Sequence, residues 1–231
     1  MAHWSFLDPA ERTRLEDLIR ILLVDKYWEA THGFELTEEI RVLISGMAGL
    51  LILGLEYDDY HRVTSIIVSP TKMVLQGDRA VGEAIMTNEP LAIIGLAQHN
   101  GPVVIAWDSA REQARHPEHG HNVVYHEFAH KLDMLDGSAD GAPPMETQEE
   151  RERWIAVCTE EFNALREGNG GHLLDPYGAT NPGEFFAVIT EVFFDRPTEL
   201  QQHKPELYQV LQAFYRQDPA ARERRPRAAA D

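Results

Sequence analysis

Residues 126–130, His-Glu-Phe-Ala-His, put two imidazoles four positions apart with a carboxylate directly after the first. On a helix, positions i and i+4 share a face, so both rings can address one ion while Glu127 is turned toward the edge of that face. A catalytic zinc takes three protein ligands and keeps a fourth position for water. The ion lowers the pKa of that water, and an adjacent carboxylate can then take its proton. The flanking Val123, Val124, Tyr125, Phe128, Ala129 and Leu132 predict a buried helix. Two unpartnered imidazoles would be costly in such a setting, which favours a metal over a helix that merely carries two histidines.

Two histidines leave one protein ligand to find. Downstream, the residues of suitable type are His172, Asp175, Glu184 and Glu191. Glu184 and Glu191 lie seven apart in "GEFFAVITEVFF", hence on one face of an otherwise apolar helix. Carboxylates on such a helix are expensive to bury without a cation, the alternative being a partly solvated pair. A second histidine-rich stretch, "HPEHGH", holds His116, His119 and His121. Its Pro117 and Gly120 describe a flexible loop with no rigid carboxylate neighbour, so it reads as a solvated loop beside the cleft rather than a second metal site. Tyr177, in "LLDPYGATNP", taken alone reads as a loop residue that packs its ring.

The 231-residue chain is 43% hydrophobic and 26% charged, as soluble globular proteins are, and long enough to bury a sizeable core. Its formal net charge of −17 argues against nucleic-acid or anionic-membrane partners. The one basic concentration, "RERRPRAAAD", reads as a frayed terminus. A single cysteine, Cys158, excludes an internal disulfide and favours a reducing compartment. The N-terminal stretch lacks the pattern of a secretory signal. The most apolar run, Val42–Leu55, is too short and too glycine-rich to span a bilayer and reads as a buried helix. The expectation is a soluble cytoplasmic protein.

Asp8-Pro9 opens a first helix with Leu15, Leu18, Ile19 and Leu22 on one face, and a second starts near Thr37. Four β-like segments follow, at 62–70, 71–77, 84–95 and 101–108, whose breaks suggest a small mixed or antiparallel sheet with hairpin connections. Helices return over the histidine motif, over 147–167 with Trp154, Val157, Cys158, Phe162 and Leu165 at helical spacing, over "PGEFFAVITEVFFD" and over "PELYQVLQAFYRQD". Strands in the first half and helices in the second predict an α+β class. One domain over 1–218 and a flexible tail over 219–231 complete the expectation.

"HEFAHKLDMLDG", "YGATNPGEFFAVITEVFF" and "QAFYRQDP" together resemble the Mlc titration factor A family of zinc peptidases. Around its active site that family is similar to the catalytic domain of anthrax lethal factor. The likeness runs from about residue 8 to 218 and includes "GFELTEE" and "LILGLEYDDYHRVTSIIVSP". It implies a zincin-like metallopeptidase domain with zinc on His126, His130 and Glu184, and Glu127 as the catalytic base. It also singles out the tyrosine seven residues before the third ligand, here Tyr177, whose phenol can donate a hydrogen bond to a developing oxyanion.

The pattern departs at Val188, where related zinc enzymes carry an acid that orients a histidine. That duty would then fall to Glu191 or Asp133, since metal-bound imidazoles generally donate their other N–H to a partner. The resemblance further implies aminopeptidase-type hydrolysis of peptides. An extended peptide would pair with an exposed strand edge, for which "GPVVIAW" is the expected strand. The alternative function is a regulatory binding protein that sequesters a sugar-responsive transcriptional repressor, for which an acidic body suits a DNA-binding partner.

Overall fold

The computed structural model describes residues 1–31, 33–71, 73–75, 79–81, 85–87, 91–93 and 101–225, and between 72 and 100 the backbone pairing alone. Helix α1 (Pro9–Asp25) starts at Asp8 with a reciprocal capping box to Glu11 and proline in its first turn. Helix α2 (Glu38–Leu51) is capped by Thr37 and buries every residue from Ile44 to Leu51. An added Cβ at Gly49 would meet Leu15 at 3.0 Å, so the bare backbone there is what lets α1 and α2 lie together. Among the described residues no helix is long and apolar enough to cross a membrane. Of the run Val42–Leu55, read as a buried helix, Ile44 to Leu53 and Leu55 are buried, whereas Val42 is exposed and the helix ends at Leu51.

The class is α+β as expected, but the main sheet differs from the expected hairpin sheet. Strands β1 (Tyr27–Ala30), β2 (Ser65–Ser69) and β7 (Val103–Ala106) form a parallel sheet in the order β1-β2-β7, with Tyr27 opposite Ser65 and Ile66 opposite Val103. Parallel neighbours cannot be joined by a tight turn and need a crossover, which α2 provides between β1 and β2. Among the described residues antiparallel pairing is confined to the segment between β2 and β7. There β3 (Met73–Leu75) pairs with β6 (Leu91–Ile93), and β4 (Arg79–Val81) with β5 (Ile85–Thr87). The rest of the strands expected over 71–77 and 84–95 lies largely outside the described residues. Strand β7 stops at Ala106, and helix α3 (Trp107–Gln113) takes over where 101–108 reads as one strand.

The second half is helical: α4 (Val123–Asp133), α5 (Gln148–Arg166), α6 (Pro182–Asp195), α7 (Pro197–His203), α8 (Pro205–Tyr215) and α9 (Pro219–Glu223). Helix α4 is buried along its entire length and packs against α6, α2 and β7. The aromatic core around Trp154, Phe186, Phe193, Phe194 and Tyr215 is built mostly from α6 and α8, and the Tyr215 hydroxyl is satisfied by Thr190 Oγ1 at 2.8 Å. Of the segment expected as a tail, residues 219–225 are docked. Ala220 is fully buried, Arg222 donates to Glu11 at 2.8 Å, and Arg225 reaches Asp8 and Glu11. Residues 226–231 lie outside the described residues.

Candidate metal centre

Two capped helices present the site. At the head of α4 the Asn122 side chain accepts from Tyr125 N (3.2 Å), which fixes the phase of the turn that carries His126 and Glu127. At the head of α6 the Asn181 side chain accepts from Glu184 N (2.9 Å), with Pro182 in the first turn. Glu184 thus leaves the first turn of its helix, facing the histidine face of α4.

His126 Nε2 lies 3.0 Å from Glu184 Oε2 and 3.2 Å from His130 Nε2, and His130 Nε2 lies 3.4 Å from Glu184 Oε2. Three atoms bonded to one tetrahedral zinc at about 2.0–2.1 Å would stand about 3.3–3.4 Å apart, so the triangle has nearly the size of one face of that coordination sphere. Its chemistry points the same way. His126 Nδ1 is 2.8 Å from Glu191 Oε1, a carboxylate that can only accept, so the proton belongs on Nδ1. A neutral His126 then turns its Nε2 lone pair toward the Glu184 carboxylate, and only a cation or an extra proton reconciles the two. Among the described residues these three are the one group of histidine, cysteine and carboxylate side chains with the geometry to hold a metal ion.

The protonation equilibria follow from this crowding. Burial works against a charged His126, but hydrogen bonds to Glu184 and Glu191 outweigh it and raise its pKa to about 10. Burial raises Glu184 too, yet the two histidines overcome it and hold the carboxyl well below its usual range. A divalent ion competes with protons for the same lone pairs, so binding here is coupled to proton release. Glu127 is 1% exposed, and burial pushes it up to about 8. Its Oε1 has no hydrogen-bond partner in the protein, leaving a buried acceptor beside the triangle.

Tyr177 rides on a 3-10 turn (Pro176–Ala179) pinned by Asp175, whose side chain accepts from Tyr177 N at 2.8 Å. Its ring centroid is 6.1 Å from that of His126 and the residue is 47% exposed, so the phenol borders the site on its open side. Burial and the Glu184 carboxylate push the phenol up to about 12, which keeps it a hydrogen-bond donor. Val188, the departure from the related pattern, supports this turn. Its side chain lies 3.3 Å from where a Gly178 Cβ would be.

Of the four residues considered as third ligand, only Glu184 joins the histidines. His172 is exposed, and Asp175 caps the Tyr177 turn and stands 3.7 Å from His121. Glu191 sits behind His126, its other oxygen accepting from Asn122 N at 2.5 Å. Asp133, considered for the same duty, touches neither imidazole, because it projects from the far end of α4. Its Oδ2 accepts from Gly141 N at 3.0 Å. In the upstream loop His116, His119 and His121 are exposed, with His116 paired to Glu118. Among the described residues strand β7 pairs only with β2, at one end of the order β1-β2-β7. Sequence reasoning missed Asn122, Asn181 and Gly141. The asparagines were signalled by their place directly before an apolar run and an Asn-Pro helix start, whereas Gly141 gave no such signal.

A family profile described as glucose-regulated metallo-peptidase M90 matches residues 1–216. An uncharacterized protein of Synechocystis sp. is 36% identical over 220 residues, 94% of this chain and 80% of that protein. The Mlc titration factor A of Serratia proteamaculans is 30% identical over 234 residues, 97% of this chain and 87% of the relative. That of Klebsiella pneumoniae (strain 342) is 30% identical over 226 residues, 94% and 83% respectively.

Proposed function

The chain belongs to the glucose-regulated metallo-peptidase M90 family, and from that premise we propose that it is a zinc-dependent peptidase of aminopeptidase type, with zinc on His126, His130 and Glu184. The observation that carries this reading is the convergence of three lone-pair atoms within 3.0–3.4 Å of one another in a largely buried site.

Zinc supplies Lewis acidity when bound, lowering the pKa of water and polarising a carbonyl. Glu127 takes the proton of the attacking water on its carboxylate and returns it to the leaving amine. Its raised pKa, near 8, suits a group that must both accept and release a proton near neutrality. Glu191 keeps the His126 proton on Nδ1 and thereby keeps the Nε2 lone pair turned to the site. Tyr177 donates its hydroxyl proton in a hydrogen bond to the oxyanion that forms at the scissile carbonyl. The edge of β7 away from β2, which no described strand covers, would offer backbone groups to an extended peptide, which requires no particular side chain from the substrate.

The test is Glu127→Gln, assayed for zinc content and peptide turnover. The ligands remain, so zinc stays at one per chain, while turnover falls by roughly 10²–10⁴-fold. Undiminished turnover rejects Glu127 as the base. A second reading, capture of a transcriptional repressor, is favoured by the name Mlc titration factor A carried by the relatives and by the net charge of −17. A wild type that neither binds zinc nor cleaves peptides, yet binds such a repressor tightly, would establish it instead.

A further inference from the structure

We infer that Asp133 is a positioning residue for the metal centre, a strut that sets where Glu184 stands relative to His130. This rests on the metallopeptidase reading above and concerns how the ligand set is held together. Asp133 closes α4 one turn after His130, and it is fully buried. Its Oδ2 accepts from the Gly141 backbone N–H at 3.0 Å and lies 3.5 Å from where a Cβ on Gly183 would be. Gly183 immediately precedes Glu184. One carboxylate therefore stands next to the bare Cα at the start of the helix bearing the third ligand, with room there for no more than a single carbon, while being covalently fixed to the helix bearing the other two.

Gly141 is the second half of the strut. It sits at φ +74°, where an added Cβ would fall 2.3 Å from the carbonyl oxygen of Pro182, the first residue of α6. The peptide is held from the other side by Trp154 Nε1, which donates to Gly141 O at 2.9 Å. The α6 N-terminus thus rests on a bare glycine whose own position is dictated by Asp133 and Trp154. Asn181 and Pro182 then pass that position on to Glu184 through the helix cap. A displacement of α6 by a fraction of an ångström opens the triangle along its Glu184 edges, whereas His126 and His130 share one helix and move together.

The experiment measures zinc affinity by competition with a chromophoric chelator at pH 8, together with the visible spectrum of the cobalt-substituted protein and the melting temperature of the chelated protein. Asp133→Ala removes the acceptor, and Gly141→Ala pushes on Pro182 from the opposite end. Both are expected to weaken zinc binding 10–100-fold and to alter the cobalt spectrum in the same sense. Asp133→Asn retains a carbonyl that can accept from Gly141 N, and is expected to bind zinc within threefold of wild type. A role in folding alone would lower the melting temperature while leaving the affinity and the cobalt spectrum unchanged, and that result overturns the proposal. So does an Asn variant as weak as the Ala variant, which remains decisive where Asp133→Ala does not fold. A wild type that takes up neither zinc nor cobalt overturns the metallopeptidase reading itself, a different outcome from tight wild-type binding that the variants share.

Discussion

Replacing Glu191 by glutamine tests the electronic logic of the site, because it preserves shape and changes only the hydrogen-bond code. The carboxylate has two clients, both donors: His126 Nδ1–H at 2.8 Å and the Asn122 backbone N–H at 2.5 Å. An amide offers one accepting oxygen and one donating NH₂, so it can satisfy only one of them. The backbone N–H of Asn122 cannot change its character. The oxygen is therefore claimed by Asn122, and the NH₂ faces His126 Nδ1. The imidazole relieves that clash by moving its proton to Nε2, the nitrogen that faces Glu184 and His130. An unrelieved or tautomer-shifted pair in a buried site costs about 1–3 kcal/mol. That converts to zinc binding weaker by roughly 5- to 150-fold, at 1.4 kcal/mol per tenfold. The assay is a competition titration with a chelator at fixed pH, paired with nitrogen NMR of the histidine ring to read its tautomer. Zinc affinity within twofold of wild type, with the Nδ1–H tautomer retained, would refute this account of how His126 is oriented.

Two further outcomes follow from the same geometry. Tyr177→Phe should lower kcat by about 10²–10³-fold, the usual effect of losing one oxyanion donor, and should weaken zinc binding far less, since the proposed role of the phenol is toward the oxyanion and its link to the ligand set is a single hydrogen bond to Glu184. Asp133 should give the chelated protein a pH-dependent stability: burial, with Asp140 and Asp136 adding to it, raises its pKa from 3.8 to about 7. A raised carboxyl favours the protonated fold, so the contribution is complete below about pH 4 and is lost as pH rises through 7, by up to ~4 kcal/mol. Urea titrations between pH 4 and 8 should show a shallower slope in Asp133→Asn than in wild type, the remainder belonging to Glu127 and Asp195, whose burial also raises them.

The metal centre was legible because its two halves are local patterns. His126 and His130 are joined by helical periodicity, and Glu184 follows an Asn-Pro helix start on an apolar run. What linear reading could not settle was which of Glu184 and Glu191 meets both histidines and which backs one of them, for the two share one face. The resemblance broke that tie in favour of Glu184, and the structure brings that carboxylate to the two imidazoles. Strand β1 escaped notice because Tyr27–Ala30 is four residues long and mostly exposed, with no alternation to detect. The parallel pairing escaped because its partners are distant and carry no turn signal. Asp133 stood beside Glu191 as a candidate to orient a histidine, and its bond to Gly141 instead was not legible, because Gly141 announces neither its positive φ nor its closeness to Pro182 until the chain is folded.

The parallel sheet has a consequence for the order in which the molecule assembles. Its pairings join residue 27 to 65 and residue 66 to 103, spans of 38 and 37 residues that no hairpin can nucleate. Closing each costs roughly 3 kcal/mol of chain entropy before any contact repays it. Helix α4 rests on β7, and Glu184 is a further 58 positions from His126. The triangle likewise requires the 58-residue span between His126 and Glu184 to be closed, so a chain that has not closed it would carry the histidines with no third side chain beside them.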